Sequence, residues 1–142
     1  MSNIKWSGIE QWKYGLTARW YVSAYYGNDT DVDAVGLYNP STNPTGHGGP
    51  TRPFATLDKL AQVMLSTDVC VFDSGYYTGS VKPAGSGFSF IGDGTVVFGQ
   101  STGFTTIKLY NIIAINSNIV SDRVMATDCT ILYSNIGQRD EF

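Results

Sequence analysis

Apolar residues in the second half of the chain come in short runs: VCVF (69–72), FSFI (88–91), TVVF (95–98), TTIKLY (105–110), IIAI (112–115), VMA (124–126) and TILY (130–133). Small polar residues and glycine separate them, as DSG, GSG, GDG and NSN. Several runs are apolar at consecutive positions, the pattern of strands in a buried parallel sheet or at the corners of a coil. Earlier, Trp20, Val22 and Ala24 alternate with Tyr21, Ser23 and Tyr25, which predicts a strand. Residues 53–64 carry the one clear helical stripe: Phe54, Leu57, Leu60, Ala61 and Met64 recur on one face. Pro53 suits its first turn, Thr51 or Thr56 its N-cap, and Ser66-Thr67-Asp68 its stop. Between strand and helix, residues 28–53 form a long polar loop rich in Asp, Pro and Gly. In the first 20 residues, Ile9, Trp12 and Leu16 have helical spacing that Gly8 and Gly15 interrupt.

The runs repeat. LYNIIAINSNIV from Leu109 overlays ATDCTILYSNIG from Ala126 at a shift of 17 residues. Asn111 falls on Asp128, Ile113 on Thr130, Ile115 on Leu132, and Ser117-Asn118-Ile119 on Ser134-Asn135-Ile136. Strand-plus-turn repeats of about 20 residues are what solenoids and parallel β-helices use. Asn at equivalent corners can stack as a side-chain ladder.

Composition sharpens this picture. Charged residues make up only 15% of 142, against roughly 25% in an average soluble domain, while Gly and aromatic residues are abundant. That balance suits a turn-rich β protein with surface that meets other protein. Three tryptophans lie in the first 20 residues, so residues 1–19 read as an aromatic arm and 20–142 as the β domain. Trp6, Trp12, Tyr14 and Trp20 are the candidates for docking on another chain; folding back on the arm's own domain is the competing reading. The net charge of −3 and the lack of any Lys/Arg block speak against nucleic acid or anionic membrane as partner. There is no apolar run of membrane-spanning length and no signal-peptide pattern at the start, so assembly in a cytoplasm is expected. Cys70 and Cys129 lack metal-ligand spacing and read as buried free thiols.

Candidate chemistry is sparse. Asp29, Asp31 and Asp33 resemble the start of a calcium loop, but Ala34 and Pro40 stand where an EF-hand needs Gly and Glu. A looser Ca2+ site and a plain acidic loop remain; no other cofactor is indicated. His47, the single histidine, lies between glycines with no nucleophile in sight. Asp73 and Asp93 lie beside glycine in turn clusters, which favours turn duty over catalysis. GDG and GSG lack the Lys or helix of a phosphate loop.

YVSAYYGND (21–29) followed by GGPTRPFATLDKLAQVM (48–64) resembles the N-terminal opening of right-handed parallel β-helix proteins of the pectate-lyase-like superfamily. Tyr21-Val22-Ser23, Gly27, Asp29, Pro53-Phe54 and Thr56 carry the match, with Ala61 as the small mid-helix residue; the loop at 30–47 is longer than the pattern's. The resemblance implies a mainly β chain: a short right-handed parallel β-helix with one N-terminal capping helix and an extended aromatic arm. Phe54, Leu57, Leu60, Ala61 and Met64 would seat that cap on the first coil. With the arm, this layout looks like the start of a phage tail spike or related virion appendage. It implies assembly in the host cytoplasm, residence in the virion, other virion proteins as partners, a homo-oligomer with a trimer favoured, and a host-surface glycan as a further partner. The alternative is the N-terminal part of a polysaccharide lyase or hydrolase whose catalytic rungs lie beyond residue 142.

Overall fold

The computed structural model describes residues 4–31, 34–79, 85–99, 102–115, 118–132 and 135–138. The chain is mainly β. One helical turn, α1 (Ile9–Trp12), precedes β1 (Trp20–Val22) and the helix α2 (Leu57–Val63). Seven strands follow: β2 (Val69–Tyr77), β3 (Phe88–Phe98), β4 (Thr102–Tyr110), β5 (Ile113–Ile115), β6 (Asn118–Thr127), β7 (Thr130–Leu132) and β8 (Asn135–Gln138). Every pairing between these strands is parallel, in the order β1-β2-β3-β4-β6-β8, with β5 joining β3 to β7.

The register carries the repeat seen in the sequence. Ile113 lies opposite Thr130 and Ile115 opposite Leu132. Asn118 lies opposite Asn135 and Ile119 opposite Ile136. All four pairs have the shift of 17. The strands are longer than the apolar runs suggest, because glycine corners do not break the ladder. In β2 and β3, Asp73 pairs with Asp93 across the corner, and a bulge between Asp73 and Gly75 absorbs the bend. β3 then forks: Phe88–Ile91 pair with β4, while Val97 and Phe98 pair with β5.

Alternate side chains fill an interior cluster. Cys70, Phe72, Phe88, Phe90, Phe98, Ile107, Leu109 and Ile112 are all buried there. Phe72 sits among Tyr77, Phe90 and Phe98 with ring centroids 5.0–5.2 Å apart, in tilted and edge-on arrangements that aromatic pairs favour. The residues between them, Val71 and Ile91, are equally buried, but in a second cluster with Ile9 and Ala18. The N-terminal arm therefore covers the outer face of β2 and β3. This is why those runs are apolar at consecutive positions: they are buried from both sides.

The helix is shorter than the stripe predicts. It starts at Leu57, with Thr56 as N-cap accepting a hydrogen bond from Lys59 N at 3.1 Å. Pro53 and Phe54 precede it in extended chain. Phe54 forms a parallel bridge with Val22; its N–H donates to Tyr21 O, and its carbonyl accepts from Ser23 N. The segment thus runs along the edge of β1 before α2 begins. Leu57, Leu60, Ala61 and Met64 join Phe54 in the interior cluster, each 7% exposed or less. Burying these five side chains is worth on the order of 5–10 kcal/mol.

Candidate functional site

The arm is a strap latched at several points. Trp6 Nε1 donates to Pro50 O at 2.9 Å, and its ring meets Tyr21 edge-on. Ser7 donates from its backbone N and its hydroxyl to the two carboxylate oxygens of Asp93, at 2.8 and 2.7 Å. Gly8 and Gly15 adopt left-handed backbone (φ 76° and 67°) on either side of α1, which lets a single helical turn lie flat on the sheet. Tyr14 stacks at a tilt on Tyr110 and donates to Asp128 Oδ2 at 2.8 Å, where Lys13 Nζ also arrives at 3.3 Å. The strap feeds into β1 through Arg19, whose N–H donates to Val69 O and whose guanidinium lies 3.8 Å from the Trp20 ring centroid.

The four aromatic docking candidates are thus divided. Trp20 is a core residue, with its indole N–H on Asp68 Oδ2 and its ring against Phe54. Trp6 and Tyr14 pack on the chain's own sheet. Trp12 alone among them stands largely in solvent, 67% exposed. The two charges at the far latch reinforce each other. The Tyr14 hydroxyl and the Lys13 ammonium hold the Asp128 carboxyl below the usual range. Burial, then the bond to Asp128, pushes the Tyr14 phenol up.

The acidic loop is tied down in the same way. Asp29 Oδ1 accepts from Ala55 N and Thr56 N, and Oδ2 accepts from the Thr56 hydroxyl at 2.6 Å, so this carboxylate anchors the start of α2. Asp31 is held by Arg52 Nη1 at 2.9 and 3.0 Å in a largely buried ion pair. Asp33 lies outside the described residues. Among the described residues no group of three or more His, Cys, Asp or Glu is placed to hold a metal ion. His47 also acts within the loop: Nε2 hydrogen-bonds Asn28 O and the ring meets Phe54 edge-on. Asp73 accepts from the Ser23 hydroxyl at 3.0 Å. Cys70 and Cys129 are free thiols, the first buried and the second half-buried, and burial pushes both up and away from the reactive thiolate.

Sequence reasoning missed two features. The latch partners Ser7, Asp93 and Asp128 carry no local signature, since each pairs with a residue far along the chain. The second feature is the exposure of Tyr25, Tyr26 and Tyr76; the Tyr-Tyr dipeptides after small residues were its only trace. No described helix is long and apolar enough to cross a membrane. No family model matches the chain, and no curated protein or solved structure matches it.

Proposed function

We propose that the chain is the capped start of a right-handed parallel β-helix and serves as a structural attachment module of a phage virion, of the tail-spike or fibre type. The observation that carries this reading is the purely parallel ladder whose partners from β2 onward recur at shifts of 16 to 21 residues, settling at 17 from β4 and β5 on. Returns at that spacing fit a chain that winds in coils. An open first coil presents an apolar cross-section and strand edges that invite aggregation. The extended Pro53-Phe54 segment along β1, together with α2, is suited to close that end.

The appendage reading adds the resemblance of residues 21–29 and 48–64, the low charge and the aromatic strap. In it the chain is a homo-oligomer, a trimer by preference, that contacts other virion proteins, is assembled in the host cytoplasm and resides in the virion. Trp12, exposed on the strap, is the aromatic group left to meet a neighbour. No metal enters the reading, because Asp29 and Asp31 already hold Ala55, Thr56 and Arg52. Light scattering on the purified chain, combined with a depolymerisation assay, tests it. The expected result is a stable trimer that leaves capsular and pectic polysaccharides uncut. A monomer that cleaves them replaces this reading with the N-terminal part of a carbohydrate-active β-helix.

A further inference from the structure

We propose that Asp93–Gly94 is a modification site gated by the strap: when the strap lifts, this dipeptide isomerises to isoaspartate, and the Ser7 latch is then lost permanently. It is the only Asp-Gly in the chain, which has no Asn-Gly. Glycine after aspartate leaves the next backbone nitrogen unscreened by a side chain, so that nitrogen can close on the aspartate Cγ. Separate structural needs put the two residues there. Gly94 has φ of 110°, and a Cβ at this position would lie 2.2 Å from Ser74 Oγ, so the corner of β3 demands glycine. Asp93 is the acceptor that the strap needs for Ser7. The pair lies at the surface, with Asp93 half-buried and Gly94 and Thr95 exposed.

The closed strap holds the reaction back. Ser7 donates from its backbone N to Asp93 Oδ2 at 2.8 Å and from its hydroxyl to Oδ1 at 2.7 Å, so both carboxylate oxygens are engaged. Thr95 N donates to Ser74 Oγ at 3.1 Å, which fixes the chain just after Gly94. Closure requires Asp93 Cγ to swing onto the Gly94 nitrogen, and that movement breaks the Ser7 bonds. In the closure the nitrogen bonds to Cγ, and one carboxyl oxygen leaves as water with the amide proton and one proton from solvent. Water then adds to the cyclic imide. Opening at the main-chain carbonyl returns the water lost and routes the backbone through Cβ and Cγ. Mass is unchanged, and water is the only co-reactant. The product has one more carbon in the main chain of the corner and its free carboxylate on Cα, so the two oxygens no longer meet Ser7. The far end of the strap is held elsewhere, by Tyr14 and Lys13 on Asp128, which allows the strap to be loosened without touching Asp93.

The inference goes beyond the attachment reading and does not rest on it. Incubation of the full chain in warm neutral buffer, with isoaspartate at residue 93 followed by tandem mass spectrometry and by isoaspartyl methyltransferase labelling, tests it. The folded chain is expected to isomerise more slowly than the chain unfolded in urea. Ser7→Ala removes one of the two bonds to the carboxylate and should raise the folded rate on the order of tenfold. Asp128→Asn, acting at the other end of the strap, should raise it as well. Asp73–Ser74 is the internal control: Asp73 lies opposite Asp93 in the ladder but is followed by a residue with a side chain, and it should stay unconverted while the fold holds. Isoaspartate absent at residue 93 from both variants overturns the proposal, as does a rate in both that equals the native one. Conversion that rises equally at Asp73 and Asp93 also overturns it, because general unfolding rather than the strap would then control the reaction.

Discussion

Asn111 and Asp128 occupy equivalent corners one repeat apart, and both have left-handed backbone, with φ of 56° and 57°. That conformation costs most L-residues about 1–2 kcal/mol, and Asn and Asp least among those with a side chain. Asn111 also donates from Nδ2 to Gly92 O at 2.9 Å and from its backbone N to Thr127 O, tying three successive corners together. Asn111→Ala should therefore cost about 2 kcal/mol in urea unfolding, and Asn111→Gly clearly less, since glycine keeps the conformation and loses only the side-chain bond. Asp128 gives a pH dependence. Its folded carboxyl lies below the unfolded value of about 3.9, so its contribution is present above that value and fades as pH falls through the folded one. Tryptophan fluorescence, in which Trp6 and Trp12 report the strap against a buried Trp20, should show the strap loosening in that acid window. Asp128→Asn should already be loosened at neutral pH and should lack the transition. Asp29 is a third test: Asp29→Ala should cost about 1–2 kcal/mol by freeing the start of α2, while a chelator leaves thermal melting unchanged.

At the scale of elements, the strap behaves as a missing layer of the sheet. It brings Ile9, Trp6, Leu16 and Ala18 onto Val71 and Ile91 without adding a strand. Removing residues 1–18 exposes that face, and the expected result is a loss of about 5 kcal/mol or more, with binding of a hydrophobic dye. Were the strap only a docking arm for neighbours, the isolated chain would melt unchanged. The helix shows a related effect. Its apolar stripe was legible because 3.6-residue periodicity is local, yet Phe54 belongs to the edge of β1. Residues in an extended approach and in a helix can line one interior surface, and spacing alone does not separate them.

Across the described residues, burial is graded along the strand ladder. In the register column Tyr77, Phe98, Ala114 and Ile131, exposure is 2%, 2%, 1% and then 45%. On the proposed coiled reading, stability is a sum of rung and neighbour terms. Hydrogen exchange should therefore be slowest in β2 and β3, which are covered inside and outside, and fastest in β7, whose three residues are all exposed. Uniform protection from β2 to β7 would contradict a nearest-neighbour stack.

The sequence by itself determined the β class, the 17-residue repeat that the strand register carries and the stripe that becomes α2. Each follows from side-chain alternation, glycine and asparagine corners or helical period within a few residues. Only the tertiary structure decided which acids are anchors, where the arm goes and which tyrosines are left in the open. Asp93 meets Ser7 and Asp128 meets Tyr14 from the far ends of the chain, and no local pattern encodes a pairing made at that distance. Tyr21, Tyr76 and Tyr110 look alike along the chain; the strap covers Tyr21 and Tyr110 and leaves Tyr76 in the open, because burial is a property of what comes to lie on top.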